Sequence, residues 1–140
     1  LVHAVAGSTV THISLQVGNS YGAGNYAMCG RSFNPRFLFS YPNSKSGVMG
    51  ADQLAGVMEI VKRKSAESLN KAIDEKLLLE EKQNLAEQAE KKASVWHTTS
   101  EVWDDGVIDP RDTRKYLSMA LSAVYNNKIK GTDSFGVFRM

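Results

Sequence analysis

Only one cysteine, Cys29, stands among the 140 residues. An internal disulfide is therefore excluded, and this cysteine usage fits a reducing compartment. No apolar run approaches the roughly 20 residues a bilayer-spanning helix needs. Net charge is +2, from 17 Lys/Arg against 15 Asp/Glu. That near-balance gives no electrostatic footprint for nucleic acid or a membrane surface. The three histidines, His3, His12 and His97, are far apart and show no metal-ligand spacing. The N-terminus has no initiator Met, charged n-region or cleavage site; Leu1 to Ala6 read as the end of a helix, stopped by Gly7-Ser8, so a fragment is expected. Apolar and glycine contents are those of a globular chain, and the length suits one domain.

What is present is organised around Gly18 to Gly30, GNSYGAGNYAMCG. Residues 13 to 17 before it alternate apolar and polar, and the β-branched content of residues 10 to 17 predicts a buried strand over that range. Behind it, Ala23, Tyr26 and Ala27 recur at helical spacing, which predicts a helix of about two turns ending near Gly30. Strand, tight turn and helix bring bare backbone amides to a helix N-terminus, where they hold negative charge. The turn contains no Lys, no His and no acid. Chemistry there rests on main-chain donors, with Gly22, Ala23 and Gly24 small enough for a ligand to come close.

Along the chain, residues 31 to 36 read as a loop with an Asn-Pro turn signal. Residues 37 to 41 read as an aromatic strand and 45 to 49 as a short extended piece. A helix after Gly50 carries Leu54, Val57, Met58 and Val61 as its stripe. From Lys62 to Ala93 the composition shifts: eight Lys/Arg, seven Asp/Glu, no Gly and no Pro. This segment predicts one long helix or a helical hairpin, an insertion or arm, with Ser65 as a cap. Glu67/Lys71 and Glu87/Lys91 would form i,i+4 pairs along it. Residues 94 to 101 read as irregular. Asp105-Gly106 is a turn, and Asp109-Pro110 caps a helix whose stripe is Tyr116, Leu117, Ala120, Leu121 and Val124. Turn and cap chemistry accounts for Asp104, Asp105 and Asp109, and Cys29 reads as a small core residue on a helix. Asn25 and Tyr26 lie beside the amides, either lining a pocket or packing.

The run GNSYGAGNYAMCGRSFNPRFLF, then Ser46-Gly47-Val48-Met49-Gly50, VWDDGVIDPRDTR and FGVFRM, resembles a known family. It is similar to the C-terminal part of the β (carboxyltransferase) subunits of biotin-dependent acyl-CoA carboxylases, those of the 3-methylcrotonyl-CoA type. The resemblance covers residues 1 to 62 and 102 to 140, and the ending FGVFRM suggests the C-terminus of such a subunit. The family has glycine where Asn19 and Ala27 stand, and an aromatic-rich breaker before the Trp-Asp-Asp-Gly turn.

The resemblance implies a partial α/β crotonase-like (ClpP/crotonase) fold of ββα units, with residues 1 to 140 belonging to the C-terminal domain. It implies transfer of a carboxyl group from carboxybiotin to 3-methylcrotonyl-CoA, a step of leucine catabolism. The Ala23 and Gly24 amides would stabilise the biotin enolate, with Gly22, Asn25 and Tyr26 also around biotin, and no metal. The active site lies between subunits, so this chain would be the biotin side alone and inactive by itself. Biotin would ride on a partner α subunit, which also uses ATP and bicarbonate. The β subunits would form a hexamer, in the mitochondrial matrix of a eukaryote or otherwise in the cytoplasm. Two other readings are a non-catalytic helical interaction module and another crotonase-fold acyl-CoA enzyme. A hydratase would need acids after the glycine turn, and residues 22 to 30 have none.

Overall fold

The computed structural model describes residues 1 to 128 and residue 131. The apolar run 135 to 138 and the rest of FGVFRM lie outside the described residues. Helix α1 (Val2–Gly7) leads into β1 (Ile13–Gln16) and β2 (Asn19–Tyr21), and α2 (Gly22–Ala27) follows directly. A 3₁₀ turn at Arg31–Phe33 precedes β3 (Phe37–Ser40) and β4 (Lys45–Gly47). Two long helices come next, α3 (Ala51–Ser68) and α4 (Glu75–Ala93), then the short α5 (Val95–Ser100). β5 (Gly106–Val107), a 3₁₀ turn at Pro110–Asp112 and α6 (Thr113–Val124) complete the order.

Both sheets are parallel. β1 pairs with β3 from Ile13 opposite Phe37 to Gln16 opposite Ser40, and β3 pairs with β5, so β1 and β5 are edges. The same two chain segments run on side by side, β2 against β4, with Tyr21 opposite Gly47. Parallel pairing needs crossovers, and the α2 region and the α3–α5 excursion supply them. The apolar stripe of α6 packs on the three-stranded sheet: Phe39, Ile108 and Ala120 are buried, with Leu15, Phe37, Tyr41, Tyr116 and Leu117 around them. The Tyr41 and Thr113 hydroxyls, 2.6 Å apart, tie β3's end to the start of α6. Among the described residues no helix is long and apolar enough to cross a membrane.

Several expectations need correction. The strand predicted over 10–17 is confined to Ile13–Gln16, since Val10 and Val17 are exposed. The charged segment is a hairpin, and Ser65 lies inside α3. α3 closes at Asn70, which takes a left-handed backbone (φ 48°): its N–H donates to the Glu67 carbonyl and the Lys71 N–H to that of Ala66. This is the Schellman closure, for which Asn is the usual substitute for glycine. The break separates Glu67 from Lys71 and leaves that i,i+4 pair unmade within one helix. Asp74 then caps α4, accepting from the Lys76 and Leu77 N–H groups. Ion pairs join the two arms instead: Arg63 to Glu75, Lys82 to Glu59 and Lys62 to Glu81. Residues 95 to 100, expected to be irregular, form α5, whose Val95 and Thr98 are buried.

Candidate functional site

The glycine turn is built as expected in outline and differs in detail. Tyr21 is the N-cap of α2 and makes no side-chain cap bond. The first N–H groups of the helix, at Gly22, Ala23 and Gly24, therefore have neither an intrahelical partner nor a capping side chain. Gly22 takes φ +53°, and a β-carbon there would stand 2.9 Å from the Val48 carbonyl oxygen. Only glycine admits both the left-handed backbone and that approach of β4's exit.

The helix ends earlier than the spacing predicts. Met28 is its C-cap, and Cys29 adopts φ 57° beyond it. The Cys29 N–H donates to the Tyr26 carbonyl and the Gly30 N–H to that of Asn25 at 2.8 Å, the same closure as at Asn70. Cys29 is buried as expected, though past the helix and not on it. Burial pushes its thiol above the ordinary value, against a smaller opposite pull from Ser14. A raised thiol pKa means less thiolate, which does not suit a nucleophile. Ala27 closes the helix in ordinary helical geometry, so glycine is not required there.

A cavity of about 280 Å³ opens beside the turn. Gly22, Asn25 and Tyr26 line it from α2, and Gln16 and Leu38 from the sheet. Ser46, Gly47 and Val48 line it along β4, and Thr98, Trp103 and Asp104 close the far side. Of the sequence-derived residues, the structure thus brings Gly22, Asn25 and Tyr26 to one cavity. Ala23 and Gly24 sit exposed at the first turn of α2 and are not among its lining residues.

Asn25 is fixed in place: its Nδ2 donates to the Ser20 Oγ at 2.9 Å. The Tyr26 ring meets that of Phe33 edge-on, centroids 5.8 Å apart. The apolar wall and a few polar groups have the make-up of a small-molecule site, and the volume lies near the small end of such sites.

Sequence reasoning missed the far wall. α5 closes through a third left-handed residue, Val102 (φ 58°), with the Trp103 N–H donating to the Thr98 carbonyl at 2.9 Å. That closure turns Trp103 and Asp104 toward the same cavity as the glycine turn. The three acids read together as turn and cap residues divide. Asp105 serves the sheet: its Oδ2 accepts from the Leu38 N–H at 2.7 Å, and its own N–H donates to the Leu38 carbonyl. Asp109 caps the 3₁₀ turn, accepting from the Arg111 N–H at 2.9 Å. Asp104 does neither and is buried against Thr99. Among the described residues no group of three His, Cys, Asp or Glu is placed to hold a metal.

The family described as "Carboxyl transferase domain" matches residues 1–138. The probable biotin-dependent acyl-coenzyme A carboxylase beta2 subunit of Mycobacterium tuberculosis is 51% identical over 140 residues, covering 100% of this chain and 26% of that protein. The mitochondrial methylcrotonoyl-CoA carboxylase beta chain of Dictyostelium discoideum is 42% identical, over 100% of this chain and 24% of its own length. The beta subunit of geranyl-CoA carboxylase from P. aeruginosa superposes with a TM-score of 0.78 at 40% identity, covering 97% of this chain and 26% of that one. The chain spans about a quarter of the length of these relatives. Its mixed α/β fold is that of the crotonase-like carboxyltransferase β subunits. The chain belongs to the carboxyl transferase domain family.

Proposed function

We propose that the chain is the biotin-receiving part of the C-terminal domain of an acyl-CoA carboxylase β subunit, and that the full subunit transfers a carboxyl group from carboxybiotin to 3-methylcrotonyl-CoA. The observation that carries this reading is the uncapped start of α2, held by the left-handed Gly22 against the Val48 carbonyl, at the edge of an apolar cavity. The relatives whose names specify biotin dependence or methylcrotonoyl-CoA match over the full length of this chain.

Bound biotin would supply the carboxyl group and, once that has left, a basic nitrogen. A side-chain general base is then not required, in keeping with a turn that has no titratable group between Gly22 and Ala27 except Tyr26. The protein's task is to meet negative charge as it builds on the cyclic urea oxygen. The Ala23 and Gly24 amides do this from the first turn of α2, reached from outside because both residues are exposed. Preorganised main-chain donors of this kind each stabilise a transition state by roughly 3–4 kcal/mol. Gly22, Asn25 and Tyr26 line the adjoining space. The cavity suits a small, flat bicycle: Leu38, Val48, Tyr26 and Trp103 are apolar or aromatic, and Asn25 is fixed by Ser20.

The biotin itself is attached to a partner α subunit that uses ATP and bicarbonate, and the acyl-CoA binds on a neighbouring β subunit in a hexamer. In a eukaryote the complex resides in the mitochondrial matrix, and elsewhere in the cytoplasm. The hairpin of α3 and α4 is an arm on this domain. The test uses the full-length subunit with its biotin-carrying partner. Ala23→Pro removes one amide, and turnover of 3-methylcrotonyl-CoA should fall roughly 100- to 1000-fold. Unchanged turnover rules the assignment out. Geranyl-CoA in the same assay decides the acyl group: faster turnover of geranyl-CoA by the unmodified enzyme would overturn the choice of 3-methylcrotonyl-CoA.

A further inference from the structure

The far wall of the cavity carries a carboxylate that nothing in the description above employs. Asp104 is only 6% exposed, and its one hydrogen-bond partner among the described residues is the Thr99 hydroxyl, 3.1 and 3.0 Å from its two oxygens. One hydroxyl proton cannot satisfy a carboxylate, which has about four acceptor positions. No cation among the described residues lies within ion-pair distance of it. A buried carboxylate in that condition calls for a donor.

The same cavity holds the converse. The Gln16 Oε1 accepts from the Ser40 hydroxyl at 3.2 Å, and Ser40 is fully buried. This orients the Gln16 amide and leaves its Nε2 as a buried donor without a partner. Arg31, a third lining residue, is exposed and has no ion pair among the described residues. One acceptor with spare capacity, one unused donor and one free cation select the chemistry of the occupant. It must offer an N–H, a carbonyl oxygen and an anionic group on one small body. A simple anion would be repelled by Asp104, and a simple cation by Arg31.

Resting on the reading of this site as biotin-receiving, we propose that Asp104 accepts the N–H of the cyclic urea nitrogen that does not carry the carboxyl group. Gln16 donates to the second lone pair of the urea oxygen, beside the Ala23 and Gly24 amides, and Arg31 faces the carboxylate. Asp104 thereby sets which edge of the urea enters, so that the reacting nitrogen is always the same one. Thr99 and the Val102 closure act as positioning elements behind it. A cyclic urea is distinguished in this way from a cyclic carbamate, which has the same shape but an oxygen in place of that N–H.

The experiment uses the full-length subunit and measures transfer of the carboxyl group from the carboxylated acyl-CoA to free biotin. Asp104→Asn keeps the shape, removes the negative charge and replaces one of the two acceptor oxygens by a donor. Its KM for biotin should rise at least tenfold while its KM for the acyl-CoA stays within twofold. Gln16→Met, which removes the unused donor, should raise the same KM and leave the other alone. In the unmodified enzyme the carbamate analogue of biotin should inhibit at least tenfold less well than biotin, and Asp104→Asn should abolish that discrimination. Equal inhibition of the unmodified enzyme by the two rings overturns the proposal, and this holds even if Asp104→Asn fails to assemble. An unchanged KM for biotin in a folded Asp104→Asn also overturns it. If the unmodified enzyme transfers no carboxyl group at all, the reading of the site itself falls; if it does so with no preference for the urea, only the role of Asp104 falls.

Discussion

Asn25 occupies the space that a side chain on Gly30 would need. A β-carbon on Gly30 would lie 1.8 Å from the Asn25 Oδ1 and 2.8 Å from its carbonyl oxygen. The glycine that ends the α2 closure is thus fixed by packing, since its backbone is not among the left-handed ones. Gly30→Ala must expel the Asn25 side chain from its bond to Ser20. The expected loss is about 1–3 kcal/mol of stability, read from the denaturation midpoint, with a weaker affinity of the full subunit for biotin because Asn25 lines the cavity.

Val102 should behave in the opposite way. A β-branched residue with φ 58° is strained, and its side chain is 68% exposed, so little packing is at stake. Val102→Gly relieves the backbone and should raise stability by about 1 kcal/mol. A lowered midpoint in thermal or urea denaturation would show that the left-handed turn before Trp103 is held by its side chain instead.

Asp109 gives a pH dependence of defined sign. The Arg111 guanidinium and backbone N–H beside it lower its carboxyl from 3.8 to about 2. A depressed carboxyl stabilises the fold fully above its ordinary value and loses that contribution as pH falls through the folded one. Between pH 5 and 2 the unmodified chain should therefore lose stability more steeply than Asp109→Asn. Parallel acid-denaturation curves for the two proteins would refute the assignment.

The hairpin is closed by exposed charges, and salt should report it. Arg63 donates to both Glu75 oxygens at 2.8 Å across the turn and to Glu59 at 3.0 Å along its own helix. Exposed pairs are screened as ionic strength rises, the Debye length falling from about 30 Å at 0.01 M to about 3 Å at 1 M. Arg63→Met should lower the helical signal of the chain on heating in 10 mM salt. In 1 M salt the two proteins should melt alike. A difference that persists in high salt would mean that the Arg63 stem, and not its charge, joins the arms.

The elements legible in the sequence are those set by local pattern. Alternation placed β1, the aromatic run 37 to 41 gave the central strand β3, and the Asp109-Pro110 signal placed the start of the last helical stretch. The α6 stripe from Tyr116 to Val124 is the one that packs on the sheet. The missed features are closures. Cys29, Asn70 and Val102 each end a helix in a left-handed backbone, and only Asn70 is a residue type that advertises it. Reading Asn70 with Asp74 as stop and cap would have separated the hairpin arms. Cys29 and Val102 carry no such signal, so the end of α2 and the whole of α5 were hidden. The near side of the site was legible because glycines mark it. The far side was not, because it depends on a turn at Val102 that sets Trp103 and Asp104 across one cavity from residues 16 to 26, a long-range arrangement with no local imprint.

β1 lies at the rim of its sheet, paired with β3 on one side alone among the described residues. Every second peptide group of its four residues therefore points outward with no strand to receive it. The three-stranded parallel sheet thus has two such rims among the described residues, β1 and β5, each an open edge on which another strand could pair. A groove runs along residues 13 to 20 and shares Gln16, Asn25 and Leu38 with the cavity. One wall thus serves two openings, and a group filling either one sits against the same three side chains.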